Sequence, residues 1–330
     1  MTEASSASPT PLLGSTGGSP GSRILAFGHH QPSNVVTNDD LARRVDTNDA
    51  WIRDRVGIIS RRVAGPDESV VDMAVIAAGK AIAGAGLAPD DIDLVVVATC
   101  TMPAPIPNAS ARVAARLGIP AAAAFDINTA CSGFCYALGT VDSLIRTGAA
   151  RYAVVVGAEK LSDWVDWDDR STCIIFADGA GAAVVGPSET PGIGPVVWGT
   201  DGAKADLITI ADRRSFIHQE GQPVFRWATG SLAPFARTAC ERAGVDPSEL
   251  AAFVPHQANL RIIEAIARRL GVDNSVVARD IVEAGNTSSA SIPIALARMI
   301  ERGEVPSGRP VLLFGFGAGL TYAGQVIIAP

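Results

Sequence analysis

The strongest constraint on this chain's fold is that it repeats itself. The stretch GLAPDDIDLVVVA, from Gly86, aligns with GVDPSELAAFVPH, from Gly244; Gly86/Gly244, Pro89/Pro247, Asp91/Glu249 and Ile92/Leu250 fall in register. Further on, IIFADGAGAA, from Ile174, aligns with LLFGFGAGLT, from Leu312, and keeps Phe176/Phe314, Gly179/Gly317, Ala180/Ala318 and Gly181/Gly319. Two markers in the same order predict a duplicated unit. Chance likeness of Gly/Ala-rich text is the competing reading.

Short apolar runs bounded by Gly, Pro or polar residues read as buried strands. They are Leu94–Ala98, Ala122–Ile127, Tyr152–Val156, Ile174–Phe176, Ala251–Val254, Val311–Phe314 and Val326–Ile328. Helical patterns lie between them, over Val70–Ala85, Gly133–Arg146, Ser231–Ala243, Asn259–Leu270 and Ile292–Glu301. The alternation predicts α/β layers. A chain of 330 residues exceeds what one core usually serves, so two halves are expected, over 23–190 and 191–330. Residues 1–22 are rich in Ser, Gly, Pro and Thr and are expected to form a disordered tail outside the fold.

With 48% hydrophobic and 18% charged residues, the chain has the make-up of a core-rich enzyme. A net charge of −7 gives no basic field for nucleic acid, so an acidic partner would need a local cationic patch. No apolar run reaches the ~20 residues of a membrane helix. Five cysteines at irregular spacings argue against a disulfide framework and for a reducing cytoplasm.

Cys131 lies in Asn128-Thr129-Ala130-Cys131-Ser132-Gly133, between a predicted strand and a predicted helix. Free N–H groups at a helix start favour a thiolate there, and its pKa is expected below the usual value of about 8.5. A thiolate suits transthioesterification. A buried structural cysteine is the plainer reading, and Cys135, one turn on, fits it. A metal site is not expected: the Cys131/Cys135 spacing and an isolated His256 do not make a ligand set. His256 follows the strand-like AAFV, and Asn286 opens the helix IPIALARMI. Polar groups at strand ends collect where α/β sites form. A satisfied core histidine and a helix N-cap would explain the same residues.

Together Cys131, His256 and Asn286, in the blocks TACSGF, PHQANLRII and GNTSSASIP, followed by GFGAGL, resemble the beta-ketoacyl-ACP synthase III family of condensing enzymes from Arg23 onward. The resemblance implies a thiolase-like five-layered α-β-α-β-α fold of two similar halves, the first carrying the nucleophile and the second the His and Asn, in a homodimer. It implies that Cys131 takes an acyl group from acyl-CoA and that malonyl-ACP then loses CO2 to an enolate that attacks the acyl group. His256 and Asn286 would hold the enolate oxygen, and the backbone N–H groups of Cys131 and Ala318 the second oxyanion. No cofactor is implied, because acyl-CoA and malonyl-ACP are substrates. GFGAGL runs into the strand-like GQVIIA, so it is not a dinucleotide loop.

By the same resemblance, Trp51 and Arg170 would sandwich the CoA adenine, Arg55 would face its phosphates, and Gly221, Ala258 and Asn259 would line the pantetheine tunnel. Core packing for Trp51 and solvated surface for the arginines are the plain alternatives. Arg261, Arg268 and Arg269, joined by Arg226, would form the patch for acidic acyl carrier protein; Arg261 and Arg268 are seven apart and share a helix face. Ile106, in the Pro-rich loop TCTMPAPIPNAS, and Phe316 are assigned to the acyl pocket, with Ile106 reaching a partner subunit. A non-aromatic residue at 106 leaves room for more than acetyl. Starter-loading or acyl-transferring relatives of polyketide and other secondary pathways share the trio. A non-catalytic subunit would lack the nucleophile, and a degradative thiolase would want a second cysteine after Cys240.

Overall fold

The structure, a computed structural model, describes residues 17–330. Ten strands and six helices form its frame. The first half runs β1 (Gly21–His30), α1 (Val70–Gly84), β2 (Leu94–Ala98), α2 (Ala109–Arg116), β3 (Ala123–Ile127), α3 (Gly133–Arg146), β4 (Ala153–Lys160) and β5 (Asp178–Ser188). The second runs β6 (Val197–Thr200), α4 (Gly221–Ala243), β7 (Ala252–Pro255), α5 (Leu260–Leu270), β8 (Val276–Val277), α6 (Ser291–Glu301), β9 (Pro310–Gly317) and β10 (Thr321–Ile328). The sheets have the strand orders β1-β5-β4-β2-β3 and β6-β10-β9-β7-β8. The same path is traced twice, with parallel pairs at β2/β3, β2/β4, β7/β8 and β7/β9 and antiparallel pairs elsewhere.

Helices α3 and α6 each touch both sheets, α1 and α2 cover the outside of the first, and α4 and α5 cover the second. This is the five-layer α-β-α-β-α arrangement of a thiolase-like fold. Central strands buried on both faces need continuous apolar runs, and LVVVA of β2 supplies one. Helix α1 begins at a capping box, Ser69 with Asp72, and lays Ala74, Ala77, Ala78 and Ala81 on the sheet. Helices α4 and α5 end at Gly244 and Gly271, whose φ values of +68° and +80° suit glycine at a helix C-terminus.

The first sequence marker is structurally equivalent in the two halves. Pro89–Asp91 and Pro247–Glu249 are matching 3-10 turns that feed β2 and β7. The second is not. Phe176 lies in a loop before β5, whereas Phe314 is inside β9, the counterpart of β4. Residues 161–177 separate β4 from β5, but only Ala318–Leu320 separate β9 from β10. The expected strand Ile174–Phe176 is a turn whose Phe176 makes one bridge to Asn286. Its apolar side chains are buried by surrounding elements rather than by strand pairing. The glycine- and alanine-rich β5 itself went unread, because it lacks β-branched character over its first five residues.

The expected tail also starts the fold early. Strand β1 begins at Gly21, and Ser22 is buried with its hydroxyl donating to Asp142 at 2.7 Å. A Cβ on Gly21 would lie 2.7 Å from Pro191 Cα, so this glycine permits the contact. Residues 1–16 of that expectation lie outside the described residues. Helix α4 starts ten residues before the predicted Ser231, and Pro234 sits within it. Among the described residues no helix is long and apolar enough to cross a membrane.

Candidate active site

Cys131 occupies the 3-10 turn Ala130–Ser132 between β3 and α3. Ala130 before it is held at φ +45°, a left-handed conformation that costs a non-glycine residue about 1–2 kcal/mol. The end of β9 is pressed against this turn. A Cβ on Gly317 would sit 2.6 Å from Cys131 Cβ and 3.0 Å from its sulfur, so only glycine lets the two backbones meet. The contact brings the Ala318 N–H, with the Cys131 N–H, onto the sulfur. Two N–H groups there form a socket of the kind that holds a tetrahedral oxyanion.

The expected low pKa of Cys131 is not what the site produces. Burial pushes the thiol up to about 11, opposed by the Ser288 hydroxyl, raised further by the Glu159 carboxylate, and again opposed by the two N–H groups. Desolvation of the thiolate outweighs the helix start. Cys131 is therefore a thiol at rest and must lose its proton as it attacks.

His256 ends up just past β7, buried in the wall opposite. Its Nδ1 lies 2.7 Å from Ser291 Oγ, and that oxygen accepts the Gln257 N–H at 3.3 Å. With the Ser291 hydroxyl donating to Nδ1, the ring proton is on Nε2, the other ring nitrogen; the roles in this pair follow the tautomer. Burial alone drives the His256 pKa down to about 3, so the imidazole is neutral and acts as a hydrogen-bond donor rather than as a cation. Phe316 packs edge-on against it, centroids 5.3 Å apart. Gln257 clamps the turn: its amide donates to the Pro255 carbonyl at 2.7 Å, and its oxygen accepts the Ile281 N–H at 3.1 Å.

Asn286 precedes the 3-10 turn Ser288–Ala290 that leads into α6. Its Oδ1 accepts the Ser288 N–H at 2.8 Å. An N–H bonds only the oxygen end, which fixes the amide and leaves its NH2 free. The cap and donor readings of Asn286 therefore describe two ends of one side chain. Helices α3 and α6 are counterparts in the duplication, so Cys131 and Asn286 hold matching places in the two halves.

A cavity of about 1080 Å³ joins these groups. It is lined by Cys131, His256, Asn286, Phe316 and Ala318, and also by Trp51, Arg55, Arg170, Gly221, Arg226, Ala258, Asn259 and Arg261. Ile106, Arg268 and Arg269 do not line it. Arg268 and Arg269 are exposed further along α5, and Arg269 donates to the Gly230 carbonyl at 3.1 Å. Ile106 is 82% exposed on its loop, next to Ala104 and Pro105, which do line the cavity. At the mouth the Arg170 guanidinium lies 5.1 Å from the Trp51 ring centroid, too close to admit a third plane, so a purine between them would require one to move. Asn259 caps α5 by accepting the Arg261 N–H, and its amide donates to the Arg55 carbonyl at 3.2 Å. Arg213 adds a cation that sequence reasoning missed, its guanidinium donating to the Pro103 carbonyl. Ser288, Ser291 and Gln257 were also missed, although the first two stand in the quoted block GNTSSASIP. Among the described residues no cluster of three metal-ligating side chains forms.

Replacing Ser291 with Ala removes the hydrogen bond that selects the His256 tautomer. A buried acceptor left without its partner costs about 1–3 kcal/mol, so enolate formation is expected to fall by about tenfold. The 15N resonances of His256 check this: a shift toward the Nδ1–H form is expected.

Residues 125–202 match the 3-oxoacyl-(acyl-carrier-protein) synthase III family, and residues 240–328 match the C-terminal part of that family. The chain is 58% identical to the beta-ketoacyl-(acyl-carrier-protein) synthase III 4 of Streptomyces coelicolor, over 94% of this chain and 99% of that protein. Its fold superposes on a priming beta-ketosynthase of a polyketide biosynthetic pathway with a TM-score of 0.94 and 44% identity, covering 97% of this chain and 99% of the other. It also superposes on the 3-oxoacyl-(acyl-carrier-protein) synthase III of Aquifex aeolicus, with a TM-score of 0.90 and 42% identity over 93% and 100%.

Proposed function

We propose, for a chain that belongs to the 3-oxoacyl-(acyl-carrier-protein) synthase III family, a division of labour in which Cys131 carries the acyl group while His256 and Asn286 hold the enolate. The enzyme is an acyltransferase that condenses an acyl-CoA starter with malonyl-ACP to give a 3-oxoacyl-ACP. The observation that carries this assignment is the meeting, in one cavity, of three side chains from three distant strand-to-helix junctions. Cys131 attacks the thioester carbonyl, and the resulting oxyanion sits against the N–H groups of Cys131 and Ala318. CoA leaves. Malonyl-ACP then enters, and its CO2 departs as negative charge moves onto the thioester oxygen. The neutral Nε2–H of His256 and the NH2 of Asn286 meet that charge without a counter-ion. The enolate carbon attacks the acyl carbonyl, and Cys131 is released.

A set of cavity-lining groups supports the substrate route. Trp51, Arg55 and Arg170 would take the CoA nucleotide, and Gly221, Ala258 and Asn259 its pantetheine arm. Arg226 and Arg261, exposed and lining the cavity, would receive acyl carrier protein, with Arg268 and Arg269 extending the patch along α5. The enzyme would work as a cytoplasmic homodimer. Strand β3 is a sheet edge paired on one side only, and the exposed Ile106 is suited to reach a second subunit's acyl pocket alongside Phe316.

A second reading, loading of a polyketide starter, is favoured by the likeness to the priming ketosynthase. One experiment addresses both. Intact-mass analysis after incubation with acetyl-, isobutyryl- and longer acyl-CoAs should show a single acyl adduct, and malonyl-ACP should then discharge it as a 3-oxoacyl-ACP. An adduct that malonyl-ACP cannot discharge would defeat the condensing assignment, and strict acetyl loading would remove the roomy pocket.

A further inference from the structure

The direction of the Asn286 amide hangs on one hydrogen bond. The Ser288 N–H donates to Asn286 Oδ1 at 2.8 Å, which leaves the NH2 as the free end of a side chain that lines the cavity. The Asn286 backbone is fixed independently: its N–H donates to the Ile175 carbonyl, and its carbonyl accepts the Ala177 N–H, both at 2.9 Å. Ser288 is in a less settled state, with φ at +48°. A non-glycine residue stays in that region only where its surroundings enforce it. The aim of the amide therefore depends on what holds Ser288.

A fully buried carboxylate does so. Glu159, near the end of β4, accepts from Ser288 Oγ at 3.0 Å and Ser289 Oγ at 2.9 Å. It also accepts from Thr99 Oγ1 at 3.1 Å, Thr101 Oγ1 at 2.6 Å and the Cys100 N–H at 3.1 Å. Every one of these neighbours donates, a shell that suits the acceptor-only oxygens of a carboxylate. Among the described residues no cation pairs with it. The Ser289 hydroxyl reaches the Ala98 carbonyl as well, at 2.8 Å, so the turn is tied to the end of β2 too.

Resting on Asn286 as the enolate donor, we infer that Glu159 is a positioning residue for decarboxylation: its carboxylate holds the Ser288–Ser289 turn in the conformation that aims the Asn286 amide. The contacts run from Glu159 Oε1 to Ser288 Oγ, and from the Ser288 N–H to Asn286 Oδ1. Glu159 does not itself line the cavity. It acts on the enolate only through Ser288 and Asn286, and no bond or proton changes hands at it.

The remaining contacts of the carboxylate go to the start of the Pro-rich loop, where Thr99 and Cys100 line the cavity. One side chain thus ties the acyl-pocket loop to the turn that orients Asn286. An amide cannot take its place. The Cys100 N–H lies 3.3 Å from Oε1 and 3.1 Å from Oε2, so either orientation of a glutamine sets an NH2 against that N–H. Two donors facing each other in a buried site must separate. The serine hydroxyls then lose the acceptor that holds their turn.

The test is a double-mutant cycle on CO2 release from malonyl-ACP without a starter, beside acyl-adduct formation from acetyl- or isobutyryl-CoA, whichever loads faster. Residues of one hydrogen-bond network are coupled, so Glu159→Gln should slow CO2 release about tenfold, and it should not slow acylation. In the Asn286→Ala background the same substitution should change CO2 release by less than about twofold, because no amide remains to aim. A role in the fold alone would slow both reactions together, or would act undiminished beside Asn286→Ala. Either result overturns the positioning role, as does unchanged CO2 release in Glu159→Gln. Ser288→Ala keeps the backbone N–H and removes the hydroxyl; it runs through the same cycle and decides the matter if the Gln variant does not fold. Asn286→Ala alone separates the premises: wild-type CO2 release there sinks the enolate donor, whereas its loss beside a normal Glu159→Gln sinks only the positioning.

Discussion

Cys131→Ala gives a folded protein that takes no acyl group from any acyl-CoA. The expected effect is complete loss of the adduct in intact-mass spectra, because the other cavity thiol is poorly equipped to replace it. Cys100 lies against the Glu159 carboxylate, and burial followed by that charge raises its pKa well above the ordinary thiol value. Its sulfur lies 4.0 Å from the Ser288 hydroxyl. Cys135, Cys173 and Cys240 are buried outside the cavity lining. The substitution removes one sulfur from a cavity wall, so the loss of stability should stay within about 1 kcal/mol. His256 and Asn286 keep their partners, and decarboxylation of malonyl-ACP should persist. An acyl adduct on the variant, located by peptide mapping to another residue, would take the nucleophile's role from Cys131.

The parts of the fold readable in the sequence were those whose burial leaves a periodic trace. Strand β2 and helix α3 begin and end at their predicted residues, because LVVVA is apolar throughout and GFCYALGTVDSLIR is apolar on one face. Strand β5 left no such trace. Its Gly179 and Gly181 carry no side chain because α6 and the start of the chain press on them: a Cβ on Gly181 would lie 2.7 Å from Ile294 N, and one on Gly179 2.9 Å from Ile294 Cδ1. Close packing of backbones removes the β-branched residues by which a strand is recognised. The same packing separates the second repeat marker into two structural settings, where glycines serve different contacts in the two halves.

At the site, residue types and junctions were legible and environment was not. A cysteine at a helix start suggests a thiolate only while solvent or cations are assumed nearby, and burial of the sulfur reverses the sign. Charge balance inside a wall depends on residues far apart in sequence. Glu159 and Ser288 are 129 positions apart, and His256 and Ser291 are 35 apart. Neither spacing matches a helix or strand period that would mark the pair.

Asn286 gives the second large effect, and two substitutions separate its two ends. Asn286→Ala should acylate at a near-normal rate and lose decarboxylation by about 10²–10³-fold, the usual loss for one donor aimed at a developing oxyanion. It also leaves the buried Ser288 N–H without its acceptor at 2.8 Å, which should lower stability by about 1–3 kcal/mol. Asn286→Asp retains that acceptor but replaces the NH2 with a second oxygen. If the residue were only a cap, Asp would restore decarboxylation along with the hydrogen bond. If it is a donor, Asp places an acceptor or a negative charge where the enolate oxygen must sit, and decarboxylation should fall further than in the Ala variant. CO2 release from malonyl-ACP, measured beside thermal melts for both variants, decides between them. His256→Ala should match the Ala variant in CO2 release. The wild-type rate of that step should show no histidine ionisation between pH 5 and 8, since an imidazole whose pKa has fallen to about 3 is neutral throughout that range. A titration near pH 6.5 assigned to His256 would mean that the ring is charged in the working enzyme, and the neutral pair of donors would have to be abandoned.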